Sequence, residues 1–463
     1  MNNNVSRIDY DILRLFNLDG KKIENFFVSH KEDGVYVSVK LALTEHCCSV
    51  CQTPTNLIKG YTTKQITHSI LSSTPCFITY RARRMLCPAC NKTFYEHNPF
   101  TFTGMKISLL TVYNVLNDLK LTTETFSSVA NRNNISITTV ATIFDKHVQI
   151  PRRTLPEVLS IDECYAFHSD RSDYVCVLFD CISQNIVDLL PSRHKAKLFD
   201  YFHKIPRSER ENVQLAVCDM WLTYREVIKL MLPNAKLAVD KFHVFQEFSR
   251  RLTRVRIDVM NRFCVSDKEK RSAYTEAERY AIKQKDMLYY VFKKFNWLLF
   301  TKDDKVLDVN RKKQWNNRLQ KYLNYYDLLT IMLTSDPDMN ETYNLYYRFQ
   351  LFYKLKNEHE AKKQINDLIT LFQASNIEVM NTFSKTLIQW KQEIINSFII
   401  IERTKKRINN AMIENTNKTI KTIKRNSNGF SNWDRFRNRV LYAINDDVTY
   451  SMYPLKKQND QTK

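Results

Sequence analysis

Two cysteine pairs constrain the fold of this chain more than any other feature. Cys48-Ser-Val-Cys51 and Cys87-Pro-Ala-Cys90 can close on one tetrahedral ion only if the 35 residues between them fold back on themselves. That gap exceeds the usual short spacing of such pairs. It is long enough for a β-hairpin or two, as in a zinc ribbon. Cys47 offers a second register, but only Cys48 gives the CxxC spacing. Strand-like runs, Gly34 to Leu41 and Cys76 to Arg83, flank the pairs. Residues 1–100 therefore read as a zinc-ribbon DNA-binding module, with structural Zn²⁺ on Cys48, Cys51, Cys87 and Cys90. Arg81, Arg83 and Arg84 add positive charge beside the second pair, and His46 and His68 read as bystanders. Cys76, Cys164, Cys176, Cys181, Cys218 and Cys264 are scattered, mostly in apolar runs, and are expected to be buried thiols.

Charge narrows the partner. Lys and Arg number 70 against 49 Asp and Glu, a net charge of +21. Such an excess suits a polyanion, with nucleic acid first and an anionic membrane surface second. No apolar run approaches the ~18 residues of a spanning helix. The opening MNNNVSRIDYD lacks a signal-peptide core, so a soluble, cytoplasmic protein is expected. Only five glycines occur in 463 residues, which excludes a glycine-rich phosphate loop and argues against an ATP-driven motor.

After residue 100 the pattern turns helical. Ile107 to Leu119, Phe126 to Asn133 and Ile137 to Val148 are three expected helices. The short break at residues 133–136 gives residues 101–150 the punctuation of a helix-turn-helix. Its last helix would present Thr138, Thr139 and Lys146 to a major groove. Pro151 to Pro156 reads as a linker. Residues 151–245 then alternate strands (Val158 to Asp162, Tyr174 to Phe179, Asn185 to Leu190, Val213 to Asp219, Ala235 to Asp240) with helices (Lys195 to Ile205, Tyr224 to Leu232), an α/β pattern. Residues 246–400 are charged, aromatic and almost free of glycine and proline, as in a helical bundle. Its most aromatic stretch, Tyr343 to Lys354, reads as core. Residues 401–450 hold two further helical segments, and 451–463 read as a disordered tail.

The chemistry rests on acids. Asp162 is expected to end the first of these strands and Asp219 the fourth, while Glu414 stands on a late helix. Arg403, Arg407, Lys418, Lys421 and Arg425 lie 11, 7, 4, 7 and 11 positions from Glu414, offsets that return to one helical face. Ile408, Met412, Ile413, Ile420 and Ile423 fall on the other. A carboxylate on a positive face repels a phosphate backbone unless a cation lies between them. Alone, such a helix reads as a solvated amphipathic helix. With two strand-end aspartates it can hold two divalent cations, as in metal-dependent phosphodiester chemistry. Oxygen-only ligands favour Mg²⁺ (or Mn²⁺) over zinc. Glu163 adjoins Asp162, and Asp240 is a fourth strand-end acid; the strand pattern alone does not choose among them.

The cysteine pairs, Ser160-Ile-Asp-Glu163, Val217-Cys-Asp-Met220, Val239-Asp-Lys-Phe-His243 and Asn410 to Phe430 together resemble the ISL3 family of bacterial insertion-sequence transposases. Asn417, Ile420, Lys421, Lys424, Arg425, Gly429 and Phe430 carry the match around Glu414, and Trp433, Phe436 and Arg437 extend it. Ala411-Met-Ile stands where that pattern commonly has a more polar turn. The resemblance implies a multidomain α/β chain: a ribonuclease H-like catalytic core with a helical insertion, preceded by the zinc ribbon and the helix-turn-helix. It implies a DDE triad of Asp162, Asp219 and Glu414 binding Mg²⁺, with Lys418, Lys421, Lys424 and Arg425 on double-stranded DNA. It also implies cleavage and strand transfer at terminal inverted repeats, by a homodimer or larger assembly and without a membrane. The alternatives are a zinc-dependent, sequence-specific DNA-binding regulator derived from a transposase without catalysis, and a structure-selective nuclease on the same fold.

Overall fold

The computed structural model of the chain describes residues 7–453 except 71–73, 103, 170–171, 274 and 302. The expected tail beyond Tyr453 lies outside the described residues. The architecture is mixed α/β, with several separate hydrophobic cores rather than one.

Helix α1 (Arg7–Leu15) precedes the first sheet, made of β1 (Ile23–Lys31), β2 (Gly34–Leu41), β5 (Ile58–Thr67), β6 (Cys76–Leu86) and β7 (Thr93–Tyr95). The order is β1-β2-β6-β5, with β7 on β6. Alternation in β2 turns Val35, Val37, Val39 and Leu41 inward onto Ile78, Tyr80 and Leu13. A small ladder, β3 (His46–Cys47) with β4 (Pro54–Thr55), carries the first cysteine turn beside this sheet.

Three helices follow: α2 (Leu109–Asp118), α3 (Phe126–Asn133) and α4 (Ile137–His147). Thr125 caps α3 reciprocally with Ser128, and Ser136 caps α4 through the Thr139 amide. Between them Asn134 turns the chain at φ 52°, a left-handed position that Asn tolerates. Their apolar faces meet around Val115, Val129, Val140 and Phe144, and Tyr442 from the far end of the chain completes the cluster.

The second sheet holds β8 (Val158–Ser169), β9 (Ser172–Asp180), β10 (Ile186–Leu190), β11 (Leu215–Cys218) and β12 (Lys236–Val239), in the order β10-β9-β8-β11-β12. The β8–β9 and β9–β10 pairings are antiparallel; β8–β11 and β11–β12 are parallel. Helices α5 (Lys195–His203), α6 (Arg207–Glu211) and α7 (Leu222–Met231) make the crossovers, with Leu198, Phe202, Val227 and Ile228 on one face of the sheet. The other face is covered by α16 (Ala411–Asn426) and α17 (Trp433–Ile444) through Ile413, Ile420, Ile423, Phe436 and Val440.

Between β12 and α16 lies a helical unit: α8 (Lys241–Arg262), α9 (Asp267–Ser272), α10 (Glu276–Lys294), α11 (Tyr325–Ser335), α12 (Pro337–Tyr353), α13 (Glu358–Gln373), α14 (Glu378–Gln389) and α15 (Lys391–Asn396). The aromatic run of α12 is core, as expected: Tyr346, Phe349, Phe352 and Tyr353 are buried against Phe248, Phe372 and Phe383. Two features depart from the sequence reading. A short hairpin, β13 (Gln314–Asn316) with β14 (Lys321–Leu323), interrupts the bundle. A second, β15 (Ile400–Ile401) with β16 (Lys406–Arg407), precedes α16. Among the other cysteines, Cys264 is exposed and Cys181 half-buried, whereas Cys76, Cys164, Cys176 and Cys218 are buried as expected.

Candidate functional site

Register brings the acids together. Ile161, Cys218 and Val239 are paired across the three parallel strands. The next residue on each strand path is therefore Asp162, Asp219 or Asp240, and the three form a row at one end of the sheet. Asp162 does not end its strand, contrary to the sequence reading: β8 continues to Ser169. Asp219 leaves β11, and Asp240 sits at the N-cap of α8 without a side-chain capping bond.

Helix α16 lies over β8 and delivers the fourth acid. Ile413, Asn417, Ile420 and Ile423 are its buried residues, so its face toward the sheet is fixed by a 3–4 residue repeat. Asn417 donates from Nδ2 to Asp162 Oδ2 at 2.8 Å. Glu414 lies one turn earlier, and its charge reaches Asp240. Ser160 donates to Asn410 Oδ1 at 2.9 Å and holds the start of the helix against β8.

The electrostatics are those of crowded, partly desolvated carboxylates. Burial, with the Asp219 charge adding to it, pushes the Asp162 carboxyl up to about 7. Burial also raises Asp240, with Glu414 and Asp219 adding to the shift and His243 opposing it. His243 Nε2 lies 2.7 Å from Asp219 Oδ1. Burial works to lower the His243 pKa, but the Asp219 pair outweighs it and the net direction is up. Asp240 Oδ2 and Asn417 Oδ1 are buried with no hydrogen-bond partner. A buried carboxylate oxygen and a buried amide oxygen without donors, among further carboxylates and a single imidazole, fit a divalent cation by charge and by ligand type. The acids do not converge on a point: among the described residues, only the four cysteines gather three or more such ligand atoms within 4.8 Å.

The basic face of α16 is shorter than its sequence periodicity suggests. The helix starts at Ala411, so Arg403 and Arg407 are not on it. Arg407 turns inward, donating to the Tyr353 and Leu355 carbonyls with its guanidinium 3.8 Å over the Phe398 ring. Arg403 lies 3.9 Å from Glu157. Lys418, Lys421 and Arg425 remain exposed, and Lys424 is half-buried over the Tyr165 ring at 4.4 Å. Met412, expected on the apolar face, is 43% exposed.

Far from the acids in sequence, the cysteine turns form a matched pair. The Cys48 amide donates to the Thr53 carbonyl and the Gln52 amide to the Cys48 carbonyl; Cys87, Lys92 and Asn91 repeat the pattern. Gln52 and Asn91 close the turns at φ 60° and 51°. Cys48 Sγ lies 3.6 Å from Cys90 Sγ, and Cys51 Sγ 3.4 Å from Cys87 Sγ. Sulfurs around a tetrahedral zinc stand about 3.8 Å apart, as follows from bonds of ~2.3 Å. The Thr53 side chain and backbone draw the Cys51 thiol down to about 6, toward the thiolate a metal needs. This Cys₄ cluster suggests zinc. His68 is no ligand: it bonds Ser108 and the Phe16 carbonyl. Arg83 is buried and paired with Glu96 at 3.0 Å, which removes it from the charge available to DNA, while Arg81 and Arg84 stay exposed. On α4, Thr138 and Lys146 are exposed and Thr139 is half-buried beside Ser136.

Sequence reading passed over two further neighbours of the acids. Arg193 is ion-paired to Glu163 and lies 4.3 Å over Tyr174 and 5.0 Å over Trp221. His243 was visible in Val239-Asp-Lys-Phe-His243, but its bond to Asp219 depends on α8 starting at Lys241.

Residues 159–440 match a family model described as a transposase. A transposase for insertion sequence element IS1001 from Bordetella parapertussis is 25% identical over 290 residues, 62% of this chain. The match spans 61% of that relative's length.

Proposed function

Because the chain belongs to the ISL3 transposase family, its family model covering residues 159–440, we propose that it cleaves DNA at the ends of its own insertion sequence and joins them to a target. The observation that carries the proposal is the row of Asp162, Asp219 and Asp240 across paired parallel strands, with Glu414 delivered over it on a basic helix. The order β10-β9-β8-β11-β12, antiparallel then parallel, supports a ribonuclease H-like reading of residues 151–245 and 401–450. The unit at 246–400 is then an insertion between strand and final helix. Residues 1–100 and 101–150 are read as the DNA-recognising modules, a zinc ribbon and a helix-turn-helix, and 451–463 as a tail.

In this reading Asp162, Asp219 and Glu414 hold the metal, Mg²⁺ or Mn²⁺, and Asp240 adds charge beside them. Bound divalent cations would polarise the phosphodiester and activate the attacking and leaving oxygens. Asn417 keeps Asp162 turned toward the cations. Lys418, Lys421, Lys424 and Arg425 contact the backbone beside Glu414, setting register rather than sequence. Thr138, Thr139 and Lys146 face the terminal repeat. Two ends handled together call for at least a dimer on DNA.

Purified protein and duplexes carrying the repeats that flank the gene test the proposal. Mg²⁺-dependent nicking at the repeat boundary, leaving a 3′-hydroxyl that joins target DNA, is the expected result. A footprint on the repeats without nicking would overturn it and leave a DNA-binding regulator.

A further inference from the structure

Strand β5 is the last of its sheet, in the order β1-β2-β6-β5. Among the described residues its free edge is bridged at Thr67 alone, to Ile107. The chain between β7 and α2 passes opposite the rest of that edge and leaves a groove of about 630 Å³. Lys64 and Gln65 form one wall, Phe102 and Lys106 the other. Phe102 and Met105 also pack on the cluster of α2, α3 and α4. The Phe102 ring lies 5.6 Å from that of His147, in the last turn of α4. The groove therefore lies between the first sheet and the three helices.

Its charge is positive and unspent. Lys64 comes from β5 and Lys106, fully exposed, from the opposite wall. Tyr95 lines the groove too, and Lys64 Nζ lies 5.0 Å from the centre of its ring. A neutral ring positions an ammonium without cancelling its charge. Arg84 pairs in register with Tyr95, so the two side chains share a face of the sheet. Arg84 donates to Thr93 Oγ1 at 2.9 Å, and a hydroxyl likewise leaves its charge unmatched. Among the described lining residues Glu96 is the one acid. Its side chain is 2% exposed and already held by Arg83 at 3.0 Å, so it does not spend the lysines. Thr63 and Gln65 are exposed and add neutral donors. Cations with hydroxyl and amide donors between them are the set that holds a nucleic-acid backbone.

We propose that this groove seats the sugar-phosphate backbone of a DNA duplex, with Lys64, Arg84 and Lys106 on its phosphates. Contacts of this kind fix position and carry no base preference. Sited between the first sheet and the α4 helix, the groove lets the two N-terminal modules hold one duplex. This rests on the DNA-binding part of the reading above, not on cleavage.

The test uses full-length protein with an end duplex and an unrelated duplex of equal length, affinity being measured against NaCl concentration. Lys64→Gln with Lys106→Gln should weaken binding of both duplexes alike. The slope of log affinity against log salt should become shallower by about two, as for two lost phosphate contacts. In phosphate-ethylation interference on the end duplex the same variant should lose a short run of phosphates. Lys64→Arg with Lys106→Arg keeps both charges and should match wild type in slope and interference. A Gln variant with the wild-type slope and interference pattern overturns the groove, as it would if an acidic peptide were the true occupant. An Arg variant as weak as the Gln variant overturns it as well, since shape and not charge would then matter. Wild type that binds both duplexes equally overturns end recognition, while the change in slope still upholds the groove. Wild type that binds neither duplex overturns the DNA reading and the groove together.

Discussion

Asn417 is the smallest part on which the acid site depends. Its side chain gives Asp162 a neutral donor, so the carboxylate is oriented without being neutralised. Replacing it with Ala removes that donor and leaves Asp162 to Glu163 and the sheet. Loss of such an outer partner weakens metal affinity or activity by roughly 10- to 100-fold. Asn417→Ala should therefore need more Mg²⁺ for half-maximal cleavage, with unchanged end binding; an unaltered Mg²⁺ titration would contradict the role. At this scale the sequence was partly legible. Asp219 and Asp240 follow short apolar strands, so their strand-end place could be read. Asp162 could not be placed the same way, because β8 runs on through Cys164, Ala166 and Phe167. The Asp219–His243 pair depends on two strands and a helix start meeting in space, which no local pattern encodes.

Elements were more legible than their limits. Helix α4 follows its Ser136 cap, and β2 follows its alternation residue by residue. Helix α16 was drawn too long: the 3.6-residue period was carried back through Arg407 and Arg403, where the chain forms the β15–β16 hairpin. Offsets of 7 and 11 fit a helix whether or not one exists. The β13–β14 hairpin has three-residue strands, too short to carry an alternating pattern. The cysteine turns, in contrast, are specified by spacing alone. They predict about one zinc per chain by elemental analysis. Chelation or Cys48→Ser should abolish end binding while the other cores stay folded, because the sheet around Asp162 and the helical unit each bury their own cluster. Metal-free protein that binds ends normally would remove zinc from the account.

Across the whole molecule, α17 ties the helices at 109–147 to the sheet that carries the acids. Arg439 is 1% exposed and donates to the Leu121 and Glu124 carbonyls. Tyr442 donates to the Leu116 carbonyl at 2.9 Å, and Arg435 pairs with Asp145 on α4. If α4 contacts DNA as proposed, that contact is thereby tied to the sheet under α16, the Glu414 helix that precedes α17. Burial draws the Arg439 pKa down to about 10, so it stays charged at neutral pH and its carbonyl partners matter. Arg439→Met keeps the volume and strands two carbonyls, at a cost of about 2 kcal/mol or more. Thermal unfolding should show a lower first transition; an unchanged one would mean the two parts are not coupled through this residue. None of this joint was readable from sequence, since its partners lie some 300 positions apart.

In the proposed function, Glu414 completes a metal site with Asp162 and Asp219. Glu414→Gln keeps the shape of the side chain on an otherwise unchanged basic helix and removes only the charge. Cleavage of end duplexes in Mg²⁺, measured beside their binding in the same preparation, tests it most directly. The expected result is wild-type binding with cleavage reduced at least about a thousandfold, on the scale of lost catalytic groups. Cleavage at the wild-type rate by Glu414→Gln would contradict it.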